Sequence, residues 1–312
     1  MSFMPFTAKD HPPIRLVEVG ARDGLQNESQ LVSSADKSQF IQLLAASGLK
    51  TIEATSFVRS DKIAQMGNAK ELYQLLTTWA PNELNLPCLV PNLRGLEDAL
   101  SVGVKEIAVF TATSESFNKQ NINATIAESF ERIEPLCIEA NKSGLRIRAY
   151  LSTVFGCPYE GVTSVDQVYR MAEKLFSFGA YDLSLGDTIG VAHPVQVYEL
   201  CEGLKQRFDL DQFSMHFHDT RGRALANITA ALAAGVTSFD ASAGGLGGCP
   251  YAKGATGNVA TEDVVDLFES MGVQTHVNLE KLVDASKFIL QKLGKASASK
   301  AHQAFLARTK SS

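Results

Sequence analysis

Two histidines separated by one residue, His216 and His218, close the apolar run Phe213-Ser214-Met215-His216-Phe217-His218, and Asp219 follows at once. Alternate side chains of an extended chain share a face, so the two imidazoles project together, ~6–7 Å apart, while Phe217 turns the other way. A lone strand histidine is satisfied by ordinary hydrogen bonds. A His-x-His pair with only Asp219 as local charge partner points instead to a divalent cation. Further along, a loop from Gly244 to Asn258 holds six glycines and carries Cys249, followed by Pro250. Backbone this permissive either approaches a ligand closely or moves as a lid, and without Gly-Lys-Ser/Thr it is no P-loop. A free thiol titrates near about pH 8.5, so modest tuning suits it to proton delivery around neutrality.

These residues need elements to position them. Short β-rich apolar runs recur at residues 14–20, 51–57, 84–90, 106–111, 146–152, 181–185, 213–218 and 238–241, mostly with helix-period segments between them. Residues 34–47 are typical: Phe40, Ile41, Leu43 and Leu44 share a face and Gly48 follows as a stop. Gly103, Gly144, Gly179 and Gly235 stand just before later strands, as expected where a helix ends and a strand begins. Eight βα repeats without linker or charge block predict the α/β class: a single (β/α)8 TIM barrel over residues 14–270 with additional C-terminal helices over 271–300, so that 1–312 form one catalytic domain. A doubly wound open sheet is the alternative. It wants Gly-x-Gly-x-x-Gly after its first strand, and residues 20–24 read Gly-Ala-Arg-Asp-Gly. The Ser- and Lys-containing tail from Ala296 is expected to fray.

In such a barrel chemistry sits at the C-terminal ends of the strands. That places Glu18 at the end of the first strand with Arg22 and Asp23 after it, Glu53 on the second, and Asp187 after the sixth. His216, His218 and Asp219 close the seventh, and Cys249 and Asn258 follow the eighth. Singly, each has a plain reading. Arg22-Asp23 makes a surface turn, Glu53 an arginine bridge, Asp187 and Asp219 helix caps, and Cys249 a small hydrophobe. Together, a carboxylate, two imidazoles and an amide can surround an oxygen-seeking cation, and nitrogen/oxygen ligation without thiolate suits Mg2+ or Mn2+ as well as Zn2+.

Composition narrows the partners. The 29 Lys and Arg are spread along the chain against 34 Asp and Glu, a net charge of −5, so no nucleic-acid footprint exists. No run of about 18 apolar residues appears, so no membrane span is expected. Five widely spaced cysteines, odd in number and without Cys-x-x-Cys, argue against a disulfide framework or structural zinc and suit a reducing cytoplasm.

Five segments resemble the 3-hydroxy-3-methylglutaryl-CoA lyases of the DRE-TIM metallolyase superfamily, in order from about residue 14 to 290. They are residues 20–28 (GARDGLQNE), 52–57 (IEATSF), 155–161 (FGCPYEG), 216–220 (HFHDT) and 244–252 (GGLGGCPYA). The resemblance implies a (β/α)8 metallolyase that splits (S)-3-hydroxy-3-methylglutaryl-CoA into acetyl-CoA and acetoacetate, as in leucine breakdown, with a small-molecule acyl-CoA as its partner. It implies a divalent metal, Mg2+ or Mn2+, on Asp23, His216, His218 and Asn258, with Arg22 on the substrate carbonyl and Glu53 beside the metal. Asp23 or Glu53 is then the base, and Cys249 transfers a proton. A homo-oligomer, a dimer, is the expected assembly. The departures are Ala21 where the family usually has proline, and Arg221 and Arg223 where it often has Tyr and Gln, which bear on the width of the acyl pocket. No cysteine lies near the C-terminus, so the dimer redox control of some animal relatives is not expected. The rivals are a lyase for a longer acyl chain, a Claisen synthase or oxo-acid aldolase, and a non-catalytic acyl-CoA-binding or metal-binding barrel.

Overall fold

Nine short strands line up in one parallel sheet: β1 (Arg15–Glu18), β2 (Thr51–Ile52), β3 (Thr55–Ser56), β4 (Cys88–Leu89), β5 (Glu106–Ala112), β6 (Arg146–Ser152), β7 (Ala180–Asp187), β8 (Phe213–Phe217) and β9 (Ser238–Ala241). The computed structural model describes residues 12–248 and 257–309. The sheet order is β2-β1-β9-β8-β7-β6-β5-β4-β3. Only Glu53 and Ala54 separate β2 from β3, and the Glu53 N–H donates to Glu18 O while the Ala54 N–H donates to Pro87 O. The two ends of the sheet are thus halves of one strand, and the sheet closes into the eight-stranded (β/α)8 barrel. The third expected strand, residues 84–90, shrinks to Cys88–Leu89 because Pro87 has no N–H to donate.

Helices α1 (Ser34–Ala46), α2 (Ala69–Thr77), α3 (Leu93–Ser101), α4 (Glu115–Ile122), α5 (Ile126–Lys142), α6 (Val165–Ser177), α7 (Pro194–Lys205) and α8 (Ala224–Ala234) connect the strands. Their starts carry the expected caps: Ser33 Oγ accepts the Asp36 N–H before α1, and Thr125 with Glu128 forms a capping box on α5. Two of the anticipated stop glycines, Gly179 (φ 95°) and Gly235 (φ 107°), adopt the left-handed conformation that ends a helix cheaply only at glycine. Helix α9 (Thr261–Ser270) completes the ring, and α10 (Leu279–Leu293) packs against α1.

The core lies between strands and helices, where Phe40, Phe213, Phe239 and Phe268 are fully buried. The barrel interior is polar instead. In β6, Arg148, Tyr150 and Ser152 alternate with Ile147, Ala149 and Leu151, and the fully buried Arg148 is bonded to Asp182, Asp240 and Tyr150. A buried guanidinium survives only when its donors are met this completely.

The tail corrects the expectation of fraying. Helix α11 (Lys300–Thr309) follows, because Ser299 Oγ and the Ala301 N–H both donate to Asp263 Oδ1 of α9. Its His302 is buried, with Nδ1 within hydrogen-bond distance of Ser286 Oγ. Charge-assisted bonds to one carboxylate and a buried ring supply what composition does not advertise.

Candidate metal centre at the barrel mouth

The chain leaves β1 through a single wide π-helical turn, Gly20–Gly24, that carries Arg22 and Asp23. Glu18 builds it: Oε1 accepts the N–H groups of Gly20 (2.7 Å) and Ala243 (2.9 Å), and Oε2 accepts the Thr261 hydroxyl (2.6 Å). A Cβ at Gly20 would stand 2.5 Å from Glu18 Oε1, so a side chain there must push the Glu18 carboxylate off these partners. One buried carboxylate thereby joins the starts of two loops and a helix. Arg22 is no surface turn residue; it is 6% exposed.

Asp23 meets the histidine pair across the mouth. Ligand atoms of Asp23, His216 and His218 all lie within 4.8 Å of one another, and the imidazole centroids are 5.3 Å apart. Asn258 joins them because the returning chain pairs with the end of β8. The Asp219 N–H donates to Gly257 O and the Val259 N–H to Phe217 O, bridging His218 to Asn258. Asn258 Nδ2 donates to Asp23 Oδ2 (2.9 Å) and to Leu246 O (3.1 Å).

The donor set fits a cation. Asn258 Oδ1 and His218 Nδ1 are buried without a hydrogen-bond partner among the described residues. Buried polar atoms are rarely left so, unless something else meets them. His216 Nδ1 lies 3.2 Å from Asp240 Oδ2, so an Nδ1–H donated there leaves Nε2 as a free acceptor. Burial opposes ionisation of Asp23, yet Arg22 and the imidazoles hold its carboxyl below the usual range. Burial and the neighbouring His216 push His218 down to about 4, which keeps it neutral. Burial works against protonation of His216 too, but Asp240 reverses the balance and raises it.

Beside this cluster runs a second chain of contacts. Arg22 Nη1 donates to Asp23 Oδ1 and Nη2 to Glu53 Oε2, both at 2.7 Å. Tyr150 donates its hydroxyl to the same Glu53 oxygen (2.9 Å) and accepts from Arg148 Nη1 (2.7 Å). Arg22 Nε and Glu53 Oε1 are buried and unpartnered among the described residues. Burial raises the Glu53 carboxyl, with Arg22 opposing it. Glu53, expected beside the metal and not among its ligands, sits against Arg22 and Tyr150, with Arg22 linking it to Asp23.

Other expected residues fall elsewhere. Asp187 accepts the N–H groups of Val191 and Ala192, and Asp219 accepts that of Ala224 at the start of α8, so both act as turn and cap acceptors. The exposed Arg221 donates to the carbonyls of Ile189 and Gly190, and the exposed Arg223 immediately precedes α8. Cys249 lies outside the described residues. The flanks of its loop meet at the mouth: a Cβ on Gly257 would stand 2.3 Å from Gly247 O, and Asn27 Nδ2 donates to Gly248 O.

Tyr150, Arg148, Asp182 and Asp240 escaped sequence reading. Arg148 Nε donates to Asp182 Oδ2 (2.6 Å) and Nη2 to Asp240 Oδ1 (2.5 Å), a buried ionic chain ending on His216. The available signal was the alternation of charged and aromatic residues with apolar ones in 146–152, which puts the polar set inside a barrel.

A profile of HMGL-like proteins matches residues 13–289. A hydroxymethylglutaryl-CoA lyase of Bacillus subtilis is 47% identical over 302 residues, covering 97% of this chain and 99% of that one. The crystal structure of hydroxymethylglutaryl-CoA lyase from Pseudomonas aeruginosa superposes with a TM-score of 0.93 at 45% identity, covering 96% of this chain and 99% of its own. An HMG-CoA lyase of Acinetobacter baumannii, solved with coenzyme A and 3-methylmalate, gives 0.89 at 33% identity over 94% of this chain and 95% of its own. With the profile spanning most of the sequence and relatives this similar over nearly all of it, the chain belongs to the HMGL-like family, among the hydroxymethylglutaryl-CoA lyases.

Proposed function

We propose that this protein is a divalent-metal-dependent lyase that cleaves (S)-3-hydroxy-3-methylglutaryl-CoA into acetyl-CoA and acetoacetate. The observation that carries the reading is the pairing of an Asp–His–His–Asn donor set with a buried arginine whose Nε has no partner among the described residues. The relatives named hydroxymethylglutaryl-CoA lyase, and the one solved with coenzyme A, supply the substrate class.

Asp23, His216, His218 and Asn258 would hold the cation. Bound there, Mg2+ or Mn2+ supplies Lewis acidity that lowers the pKa of a tertiary hydroxyl. The chain's residues manage the rest. The hydroxyl proton must leave, its electron pair forms the new carbonyl of acetoacetate, and the carbon–carbon bond breaks to give the enolate of acetyl-CoA. Asp23 and Glu53 are the two carboxylates placed to take the proton. Glu53, raised by burial and with Oε1 unpartnered, is the better proton acceptor of the two, while Asp23, held low, serves as a ligand. Arg22, held by Asp23 and Glu53 and kept charged by both, would stabilise the developing enolate oxygen. Cys249 protonates the new methyl carbon.

The nitrogen/oxygen donor set suits Mg2+ or Mn2+. The acidic net charge supports a small acyl-CoA partner rather than nucleic acid. Among the described residues no helix is long and apolar enough to cross a membrane. Five widely spaced cysteines without a pairing motif support placing the enzyme in the reducing cytoplasm, as a homodimer in leucine breakdown with a single catalytic domain.

The test is release of acetoacetate by chelator-stripped protein with and without added Mg2+ or Mn2+. We expect strict metal dependence, and loss of metal binding in D23N and H218A. No acetoacetate from the loaded protein, or faster turnover of a longer branched 3-hydroxyglutaryl thioester, overturns the substrate assignment.

A further inference from the structure

Thr153, directly after β6, has φ +60° although its side chain is β-branched and fully buried. The left-handed region is a true outlier for such a residue, and it persists only where its surroundings enforce it. Here three threonines from separate parts of the chain do so. Thr188, just past β7, accepts the Thr153 N–H on Oγ1 (2.8 Å). Thr113, just past β5, and Thr163, returning from the following loop, donate to the Thr153 carbonyl (2.8 and 2.6 Å). Thr153 Oγ1 itself donates to Ser152 O (2.7 Å).

The kink has a direct consequence two residues on. The Val154 N–H rejoins β7 by donating to Gly186 O, and Phe155 turns into the core. Its ring lies 6.0 Å from that of Phe217, centroid to centroid. Phe217 is the outward residue between His216 and His218, so whatever fixes Phe217 fixes the strand end that spaces the two imidazoles.

We propose that the threonine cage around Thr153 is a positioning device for the metal centre: the hydroxyls of Thr113, Thr163 and Thr188 hold the left-handed kink, the kink seats Phe155 behind Phe217, and Phe217 sets the spacing of His216 and His218. This rests on the reading of that pair as metal ligands. None of the four threonines touches the cation or substrate in this scheme; they act through the strand.

The kink itself supplies the test, because glycine adopts φ +60° without enforcement. Mn2+ alone is titrated into chelator-stripped wild type, T188V, T188S, T153G and T153G/T188V, reading free Mn2+ by its paramagnetic resonance, with kcat, KM and melting temperature recorded alongside. T188V removes the acceptor of the Thr153 N–H, lets the residue relax to negative φ, and weakens Mn2+ binding by about fivefold or more. T188S restores it. T153G/T188V stays within about twofold of T153G, because glycine keeps the kink without the cage. The cage is refuted if T188V binds Mn2+ like wild type, or if the double variant loses as much as T188V. Wild type that binds no Mn2+ overturns the ligand reading instead, a distinguishable result.

Discussion

Asp240 stands with one oxygen 3.2 Å from His216 Nδ1 and the other 2.5 Å from Arg148 Nη2. Burial disfavours its charge, yet Arg148 and His216 hold its carboxyl far below the usual range, so it stays ionised and presents a fixed acceptor to the imidazole. Through Asp240 the interior ionic chain decides which nitrogen of His216 faces the mouth.

D240N tests that link. It keeps the shape but weakens the acceptor that fixes the tautomer, and outer partners of this kind are worth about 10–100-fold in metal affinity. Titration with Mn2+ is expected to show a loss in that range. Unchanged affinity means that the ring is oriented by its packing against Tyr150 and His218 alone.

R22Q separates rate from binding. Arg22 stabilises charge that exists only during reaction, so kcat falls by roughly 10²-fold or more while KM moves little. Mn2+ affinity is expected to remain close to wild type, because Arg22 touches Asp23 Oδ1 and is not itself a ligand. A variant with near-normal turnover removes arginine from the mechanism.

C249A addresses the proton returned to carbon. General acid–base groups contribute typically 10²–10⁴-fold, so kcat is expected to fall within that range with metal still bound. Wild-type turnover in C249A assigns the proton to another donor.

Glu18 yields a pH prediction. Burial pushes its pKa up to about 7 from 4.5. Between these values the folded state binds the extra proton, so the stability Glu18 contributes is complete below pH 4.5 and disappears as pH rises through about 7. The full effect is about 3 kcal/mol. E18Q lacks this titration, so the melting temperature of metal-free wild type should fall relative to E18Q across that window. His218, held at about 4, acts in the opposite sense but is common to both proteins and cancels. A pH-independent difference rules out the shifted carboxyl.

Much of this was legible in residue order. Strand spacing, stop glycines and helix periodicity pointed to eight βα units, and His216-Phe217-His218 carried its own geometry, because two residues apart on a strand means one face. Arg22, Asp23, Glu53 and Asn258 were recognisable from motifs at strand ends. The tail is helical where its composition suggests fraying, since composition does not reveal that Ser299 and Ala301 share the Asp263 carboxylate.

Fold class and the residue types available for chemistry follow from local periodicity and spacing, so residue order carries both. Tertiary structure alone decided which groups meet. It seats Glu53 on Arg22, and Asn258 beside Asp23 at 2.9 Å across 235 positions. It also buries Arg148 between two aspartates and forces Thr153 to φ +60°. Barrel closure brings together strand ends far apart in sequence, and the low-dielectric interior makes each of those contacts a matter of pairing that no linear pattern encodes.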